Sequence, residues 1–371
     1  MRETILITGG AGFIGSHLAN ELLNHRYRVR VLDNLCPQVH GPERKRPSYL
    51  NPDVELQVGD IRDPAAVKKA LRDVDAVYHF VAMVGVGQSM YEIAEYTSVN
   101  NLGTAVLLEA LLKHPVKRLV VASSMSIYGE GLYRDDAGLV QTAPDRTYQQ
   151  LKSQDWEIRN DAGQALTPVP TPEDKTPSLA SVYALSKYDQ EKMCLVIGRA
   201  YQIPAVALRF FNIFGPYQAL SNPYTGVLAI FAARLLNGRA PLINEDGLQK
   251  RDFVSVYDVA RACRLAMEAP DAAGEVFNVA SGRQYTIREL AERVARVLGK
   301  NIQPEITGKY RAGDIRHCFA DISKARTVLG FQPLIGLEEG LEDLAAWLEG
   351  QIAYDRVTES RNELAARGLI V

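Results

Sequence analysis

The chain has 371 residues, 47 % of them hydrophobic, which is enough to bury a sizeable core in one or two structural units. Its formal net charge of −2 comes from 42 basic and 44 acidic residues without a long basic block, which argues against nucleic acid or an anionic membrane as a partner. Four cysteines without metal-ligand spacing, together with the lack of an apolar run of about 18 residues, lead us to expect a cytoplasmic protein that has reduced thiols, no metal site and no membrane helix.

The first half of the chain alternates short apolar strands with amphipathic helices. Such alternation is typical of a buried parallel sheet, and right-handed crossovers then predict an α/β fold with a Rossmann-type doubly wound sheet. The predicted strands are Ile5–Thr8, Val29–Leu32, Val54–Val58, Ala76–Phe80 and Leu119–Ala122, and the predicted helices are Ile14–Leu23, Ala65–Leu71 and Val99–Leu112.

A glycine-rich turn follows the first strand. The sequence TILITGGAGFIG, residues 4–15, contains both G-x-G-x-x-G and G-x-x-G-x-x-G and leads from a strand into a helix. Glycines let the backbone approach a pyrophosphate, and the helix N-terminus directs N–H groups toward the anion. This turn predicts a dinucleotide site.

Two carboxylates near strand ends refine the cofactor. Asp33 ends the second strand, 18 residues after Gly15, where a carboxylate accepts hydrogen bonds from ribose hydroxyls and repels a 2′-phosphate. The segment GDIRD, Gly59–Asp63, places a second acid within reach of the adenine amine. The sequence therefore favours NAD over NADP.

The stretch Glu130–Ser181 interrupts the alternation with prolines and glycines. We expect an irregular surface insertion that belongs to no sheet strand and that Tyr133, Tyr148 and Trp156 anchor to the protein. Because it connects the strand of Ser124 to the helix of Tyr183, it could be a lid over the site. It could equally be a decoration that packs outside or at a subunit contact.

The segment YALSK places Tyr183 and Lys187 on one face of a predicted helix, Tyr183–Ala200. An ammonium about 4 Å from the phenol would lower its pKa by about two units, which would make Tyr183 a better base. Tyr-x-x-x-Lys by itself is a weak signal. It gains weight from Ser124, which ends a buried strand where α/β sheets present groups to ligands.

The remainder of the chain follows a strand at Ala205–Arg209 and mixes helices with short strands. We expect two domains. Residues 1–217 form a NAD-binding Rossmann domain with the insertion 130–181, and residues 218–371 mainly form a smaller α/β domain for the substrate.

At this point the chain resembles the extended short-chain dehydrogenase/reductase family, and within it the nucleotide-sugar epimerases. The resemblance covers nearly the whole chain, and it rests on motifs in every part of it: TGGAGFIGSHL, LDNL, GDIRD, HFVA, NNLGT, SSMSIYG, YALSK, LRFFNIFGP, RDFVSVYDVA, FNVASG and RAGDIRHCFAD.

The resemblance implies which side chains form the site. It implies Ser124, Tyr183 and Lys187 as the catalytic residues. The implied contacts of NAD are Gly9, Gly12, Phe13, Ile14, Gly15, Asp33, Asn34, Asp60, Ile61, Phe80, Ala82, Asn100, Tyr183, Lys187 and Phe210. The implied substrate contacts are Ser124, Ser126, Asn212, Asn222, Arg251, Arg311, Asp314 and Cys318, with the arginines suited to a diphosphate through charge-assisted bonds.

The residues after Ser124 bear on the reaction. Sugar dehydratases that resemble this chain carry Asp-Glu there, related decarboxylases carry a Glu at the second position, and epimerising reductases carry a Cys. Met125 and Ser126 supply none of these groups. Epimerisation at C4 through a transient 4-ketose remains, with reduction of a 4-keto sugar as an alternative.

The substrate is less defined by the sequence. The segments SMSIYGEG and KYRAGDIRHCFADISKAR resemble the dTDP-L-rhamnose 4-epimerase group, which interconverts dTDP-L-rhamnose and dTDP-6-deoxy-L-talose, although the insertion lacks cysteine pairs. UDP-glucose and UDP-N-acetylglucosamine 4-epimerases are close alternatives. Cys318 would leave room for a bulky sugar, or would be an ordinary buried cysteine.

Two other functions are compatible with the same fold. A non-catalytic dinucleotide-binding regulator would have the same fold but typically loses the Tyr or Lys. A hydroxysteroid dehydrogenase would have no phosphates for Arg251 and Arg311. The resemblance also implies a homodimer packed through Met90–Lys113 and Tyr183–Tyr201.

Overall fold

A computed structural model describes residues 2–370 except 145, 221, 223, 225, 312 and 352–354. Its central element is a sheet of seven parallel strands, and it confirms the predicted Rossmann-type doubly wound α/β architecture. From one edge to the other, the strands are Val276–Val279, Ala205–Phe210, Arg118–Ser124, Ala76–His79, Thr4–Thr8, Arg28–Asp33 and Glu55–Val58.

Side chains of the inner strands alternate between two apolar layers. In the strand Thr4–Thr8, Ile5 and Ile7 belong to one buried cluster and Leu6 to the other. The helices that cover the first layer are Phe13–Asn24, Val256–Glu268 and Ser323–Leu329, and those that cover the second are Pro64–Ala70, Gly103–Lys113 and Val182–Tyr201.

The predicted boundaries in this half agree with the structure to within a residue or two, apart from one helix. The stretch predicted as a helix at Val99–Leu112 is a π-helix at Thr97–Leu102 that continues as the α-helix Gly103–Lys113. Two short helices precede it, Val86–Ser89 and Ile93–Tyr96, and a further short helix is Pro37–His40. A single turn of π-helix is uncommon and frequently lies at a functional site.

The C-terminal part has a second core between helices Val227–Leu236, Ile287–Val297 and Leu337–Leu348. The predicted domain division at residue 217 does not separate the two parts fully, because Val276–Val279 lies beyond it and is an edge strand of the central sheet. Short strands pair as Asn212–Phe214 with Phe253–Ser255, Leu242–Ile243 with Glu305–Ile306, and Lys250–Arg251 with both Tyr285–Thr286 and His317–Cys318. The remaining helices are Tyr148–Lys152 and Val357–Ala366, with 3₁₀ turns at Met125–Tyr128 and Pro270–Ala272. None of the helices in the described residues is long and apolar enough to cross a membrane.

The insertion is more ordered than the sequence predicts. The expectation that it has no sheet strand is wrong, because Leu132–Arg134 pairs antiparallel with both Val140–Thr142 and Thr167–Val169. Tyr133 and Trp156 are buried, as expected of anchors, whereas Tyr148 is exposed. Strands of three residues have little periodicity, so a sequence rich in prolines conceals them.

Candidate functional site

The glycine turn has the geometry of an anion cradle. Gly9 has φ +72°, and a Cβ there would lie 2.9 Å from the backbone N of Val81. A Cβ at Gly15 would lie 2.5 Å from Gly10 Cα. Gly12 begins the helix Phe13–Asn24 without a side-chain cap, so the N–H groups of the first turn remain available to a phosphate. These features fit a dinucleotide pyrophosphate.

The two carboxylates of the predicted cofactor site lie close to this turn. Asp33 Oδ2 accepts a hydrogen bond from Ala11 N (3.1 Å), and Oδ1 accepts one from Leu35 N (2.9 Å). Asp60 Oδ2 accepts from Asn34 Nδ2 (3.4 Å), which brings these two side chains together. Hydrogen bonds from Arg62 lower the pKa of Asp60 to about 2, so Asp60 is ionised.

Asn100 and Ile61 support the cofactor side from within the protein. Asn100 Oδ1 accepts from Met83 N (2.7 Å), and its Nδ2 donates to Ser186 Oγ (2.9 Å), so it links the loop after the fourth strand to the helix of Lys187. Ile61 is buried, and a Cβ at Gly103 would lie 2.5 Å from its Cγ2. Both residues position backbone segments that border the site.

A cavity of about 550 Å³ lies at the carboxyl ends of the strands, where open α/β sheets bind ligands. Many of the residues singled out from the sequence line it. They are Phe13, Ile14, Phe80, Ala82, Ser124, Ser126, Tyr183, Lys187, Phe210, Asn212, Arg251, Arg311 and Asp314.

Ser124 ends the strand Arg118–Ser124 and points into this cavity. Its Oγ accepts hydrogen bonds from the backbone N of Ser126 (3.2 Å) and from Ser126 Oγ (2.9 Å). The Ser124 hydroxyl is also close enough to the Tyr183 phenol to lower the pKa of that phenol. Two of the predicted catalytic residues therefore line the same cavity.

The helix Val182–Tyr201 carries Tyr183 in its first turn and Lys187 one turn later. Ser181 caps it through a hydrogen bond from Ala184 N (3.1 Å). Glu191, one further turn along, accepts from Ser123 Oγ (2.7 Å) and forms a buried ion pair with Arg209 (2.8 Å). These contacts fix the helix against the strand that bears Ser124.

The ionisation of the pair differs from the prediction that Lys187 lowers the pKa of Tyr183. Burial raises the pKa of the Tyr183 phenol, and the hydrogen bond with Ser124 lowers it in part. Burial lowers the pKa of Lys187 to about 7, because the ammonium has lost its contact with water. A lysine with that pKa is only partly charged near pH 7 and has a weaker effect on the phenol.

Gln190 is a residue that the sequence analysis missed. Lys187 Nζ donates to Gln190 Oε1 (2.7 Å). Gln190 Nε2 donates to Thr104 Oγ1 (2.9 Å) and to the carbonyl of Val81 (3.2 Å), so the acceptor end of the amide faces Lys187. Its position three residues after Lys187, on the same helix face, was the available signal.

The opposite end of the cavity is cationic. Arg251 donates to the backbone carbonyls of Lys250 (2.9 Å), Ile315 and Arg316 (3.0 Å), and Arg311 is paired with Asp314 (2.5 Å). Among the described residues, the arginines that line the cavity are Arg251, Arg311 and Arg361, and they stand against one carboxylate, Asp314; the partly charged Lys187 adds to them. This excess of positive charge suits a polyanionic ligand.

Two predicted substrate contacts do not line the cavity. Cys318 is buried beside Met125 and Tyr128, which favours the ordinary buried cysteine over a thiol that widens the sugar pocket. Asn222 is also buried, and its Oδ1 accepts from Gln38 Nε2 (3.2 Å) and Tyr224 N (3.0 Å).

The sequence also did not lead us to expect the C-terminal helix Val357–Ala366 at the site. Val357, Ser360, Arg361 and Leu364 line the cavity. Buried residues at 357, 360 and 364 have helical spacing, which was the available signal.

Comparison with known proteins supports the geometric description. Residues 5–155 and 162–280 match the model of the NAD dependent epimerase/dehydratase family. The chain is 34 % identical to dTDP-L-rhamnose 4-epimerase from Burkholderia thailandensis, over 94 % of this chain and 96 % of that protein.

The chain is also similar to solved structures of epimerases. UDP-N-acetylglucosamine 4-epimerase from Methanobrevibacter ruminantium M1, in complex with UDP-N-acetylmuramic acid, is 30 % identical with a TM-score of 0.77, over 95 % of this chain and 100 % of that one. UDP-glucose 4-epimerase from Thermus thermophilus, in complex with NAD, is 31 % identical with a TM-score of 0.74, over 94 % and 99 %.

Proposed function

Because this chain belongs to the NAD dependent epimerase/dehydratase family, we propose that it epimerises C4 of a nucleotide-activated sugar through a 4-keto intermediate. The observation that carries the proposal is that Ser124, Tyr183 and Lys187 line one cavity together with Arg251 and Arg311. Bound NAD would supply a hydride acceptor that later returns the hydride to the sugar carbon.

The chain's own residues would hold the dinucleotide. The glycine turn and the first turn of Phe13–Asn24 would bind the pyrophosphate. Asp33 would accept from the ribose hydroxyls, and Asp60 with Asn34 would reach the adenine. Phe80, Ala82 and Phe210 would border the nicotinamide end of the site.

Tyr183 is the group that would move the hydroxyl proton. Its phenolate would accept the proton of the 4-hydroxyl, and the phenol would return it after the ketose has turned over. Ser124 would donate a hydrogen bond to the same oxygen and hold it beside Tyr183. Lys187 would stabilise the phenolate whenever its ammonium is protonated.

The surroundings of Ser124 support epimerisation over elimination. Met125 is buried in an apolar cluster, and Ser126 Oγ bonds with Ser124. Asp314 is the carboxylate among the described residues that line the cavity, and Arg311 holds it. The described residues that line the cavity therefore provide no pair of carboxyl groups that could act as acid and base in removing water from C5 and C6.

For the finer substrate we propose dTDP-L-rhamnose and dTDP-6-deoxy-L-talose, which the 34 % identical Burkholderia relative supports. A UDP-sugar 4-epimerase is the second candidate, because the solved structures similar to this chain include epimerases named for UDP-sugars. Arg251 and Arg311 would contact the diphosphate, which both candidates share.

A panel of dTDP- and UDP-sugars, with the products read by NMR, tests the proposal. We expect interconversion of dTDP-L-rhamnose and dTDP-6-deoxy-L-talose without added reductant, because the hydride is returned in each cycle. Conversion that consumes NADH in proportion to product would replace epimerisation by ketone reduction. Turnover of UDP-glucose alone would favour the second candidate. Accumulation of a 4-keto-6-deoxy sugar from dTDP-glucose would contradict the argument from Met125 and Ser126.

We also propose that the enzyme is a homodimer. Large apolar side chains are exposed on two neighbouring helical segments, among them Leu102, Leu185 and Val196. A second copy of the chain would cover them through the same pair of helices. Sedimentation equilibrium is the measurement, and a monomer at micromolar concentration would contradict this assembly.

A further inference from the structure

The C-terminal helix Val357–Ala366 lies over the cavity, although the proposed chemistry gives it no role. Val357, Ser360 and Leu364 are buried on its inner face, and all three line the cavity. A Cβ at Gly87 would lie 3.3 Å from Leu364 Cδ1, so the C-terminal helix packs closely on the short helix Val86–Ser89.

Specific polar contacts fix both ends of this helix. At its start, the carboxylate of Asp355 pairs with Arg234 (3.2 Å) and Arg239 (3.0 Å). Toward its end, Glu363 Oε2 accepts from Tyr91 Oη (3.3 Å) and Tyr224 Oη (3.2 Å). Ile370 then forms a backbone bridge with Arg311, which connects the end of the chain to a cavity residue.

Arg361 is the charged residue that this helix adds to the cavity. It is half-buried, and its Nη1 donates to Asn244 Oδ1 (3.3 Å). It forms no ion pair with any described residue, whereas Arg311 pairs with Asp314 and the buried Arg316 pairs with three carboxylates. Burial lowers the pKa of Arg361, as do the charges of Arg234 and Arg311, while the charge of Glu305 raises it in part.

A cation in this position needs a counterion. A half-buried guanidinium without a carboxylate in ion-pair contact is less favourable than a paired one, and a guanidinium is suited to bidentate contact with phosphate. The two ionised phosphates of a nucleotide sugar would supply that anion.

We infer that Arg361 binds the diphosphate of the nucleotide sugar, as a third arginine beside Arg251 and Arg311, and that the C-terminal helix thereby closes the cavity over the nucleotide. This inference rests on the proposed function for the identity of the anion. It assigns the helix a part in substrate affinity and leaves the proton transfer to Tyr183.

The test is isothermal titration of UDP and dTDP into wild type, Arg361→Gln and Arg356→Gln. Arg356 is exposed at the start of the same helix and loses the same charge, so it is the matched control. We expect Arg361→Gln to weaken nucleotide binding about 10- to 100-fold, the usual range for a charged hydrogen bond, and Arg356→Gln to change it less than about twofold. Co-purified NAD should be unchanged in both variants.

Steady-state kinetics provide a second readout. KM for the nucleotide sugar should rise in Arg361→Gln while kcat stays near wild type, because Arg361 contacts the part of the substrate that does not react. If Arg361→Gln does not fold, Arg361→Lys takes its place. Lysine keeps the positive charge but lacks the planar guanidinium that makes bidentate contacts, so we expect an intermediate loss of nucleotide affinity.

Equal affinities of Arg361→Gln and Arg356→Gln, or wild-type affinity of Arg361→Lys, would overturn the inference while leaving the proposed function intact. Wild-type protein that binds neither UDP nor dTDP would overturn both.

Discussion

At the scale of single residues, Tyr183 and Lys187 lie one helical turn apart. Lys187 is buried, whereas Tyr183 is partly exposed where it lines the cavity. Burial favours the neutral form of each, so in the protein alone the phenol keeps its proton and the amine is partly neutral near pH 7. The amide of Gln190 accepts a hydrogen bond from Lys187 and holds it in place without adding charge. Ionisation of Tyr183 therefore depends on additional positive charge close to the ring.

The lowered pKa of Lys187 predicts a pH dependence of stability. Its pKa is about 7 in the folded protein against an ordinary value of 10.5, so between these values the unfolded chain binds more protons. The contribution of Lys187 to the free energy of unfolding should accordingly rise as the pH rises from 7 to 10, by an amount on the order of a few kcal/mol.

Urea titrations of wild type and Lys187→Met at several pH values measure this contribution, in protein freed of dinucleotide. The difference in unfolding free energy should shift in favour of wild type as the pH rises. A difference that stays constant from pH 7 to 10 would show that Lys187 titrates as an exposed lysine does.

The proton transfer assigned to Tyr183 gives a second prediction. Tyr183→Phe removes the acid/base group and keeps the ring, so kcat should fall about 10²- to 10⁴-fold while NAD binding is retained. Tyr188→Phe is the control on the same helix, because Tyr188 is not among the residues that line the cavity. Turnover of Tyr183→Phe close to that of Tyr188→Phe would remove Tyr183 from the mechanism.

At the scale of elements, the insertion is tied to the C-terminal part by buried charges. Arg146 pairs with Glu245 (2.8 Å) and donates to the carbonyl of Asp314 (3.0 Å), and Glu157 pairs with Arg316 (2.5 Å). Residues 139–161 therefore contribute partners to buried charges of the C-terminal part. Trimming them would leave Glu245 and Arg316 with fewer partners in an environment of low dielectric constant.

The substitution Arg146→Met tests this role of the insertion. Because Arg146 and Glu245 are 6 % and 1 % exposed, loss of the guanidinium should lower the free energy of unfolding by about 2–4 kcal/mol. The loss should shrink as the pH falls, because burial raises the pKa of Glu245 and a neutral carboxyl needs no partner.

Arg159→Met is the matched control for that substitution. Arg159 also lies in the insertion, but its ion pair with Asp155 is exposed and screened by water, so its removal should change the free energy of unfolding much less than Arg146→Met does. Urea titration is the measurement for both variants. Equal losses would mean that the buried pair adds nothing beyond an exposed one. Arg146→Met should also raise KM for the nucleotide sugar, because Arg146 holds the carbonyl of Asp314.

At the scale of the whole molecule, the cavity is assembled by segments that are far apart in the chain. The carboxyl end of a central strand supplies Ser124, the covering helix supplies Tyr183 and Lys187, and the smaller part supplies Arg251 and Arg311. Parallel strands present their carboxyl ends at one edge of the sheet, so a cleft forms there whenever further elements lean over that edge. The C-terminal helix completes the enclosure.

The amino-acid sequence by itself determined the sheet, the glycine turn and the candidate trio of Ser124, Tyr183 and Lys187. These features depend on local periodicity and on the backbone freedom of glycine, which a short stretch of residues encodes. Helix spacing also places Tyr183 and Lys187 on one face without reference to the rest of the chain.

Tertiary structure alone decided the direction of the pKa shifts, the burial of Cys318 away from the cavity, the strands and buried charges of the insertion, and the position of Arg361. Each depends on contacts between segments that the sequence separates by many residues. Burial and pairing are properties of the packed chain, and no local pattern specifies which distant side chain will exclude water or supply the opposite charge.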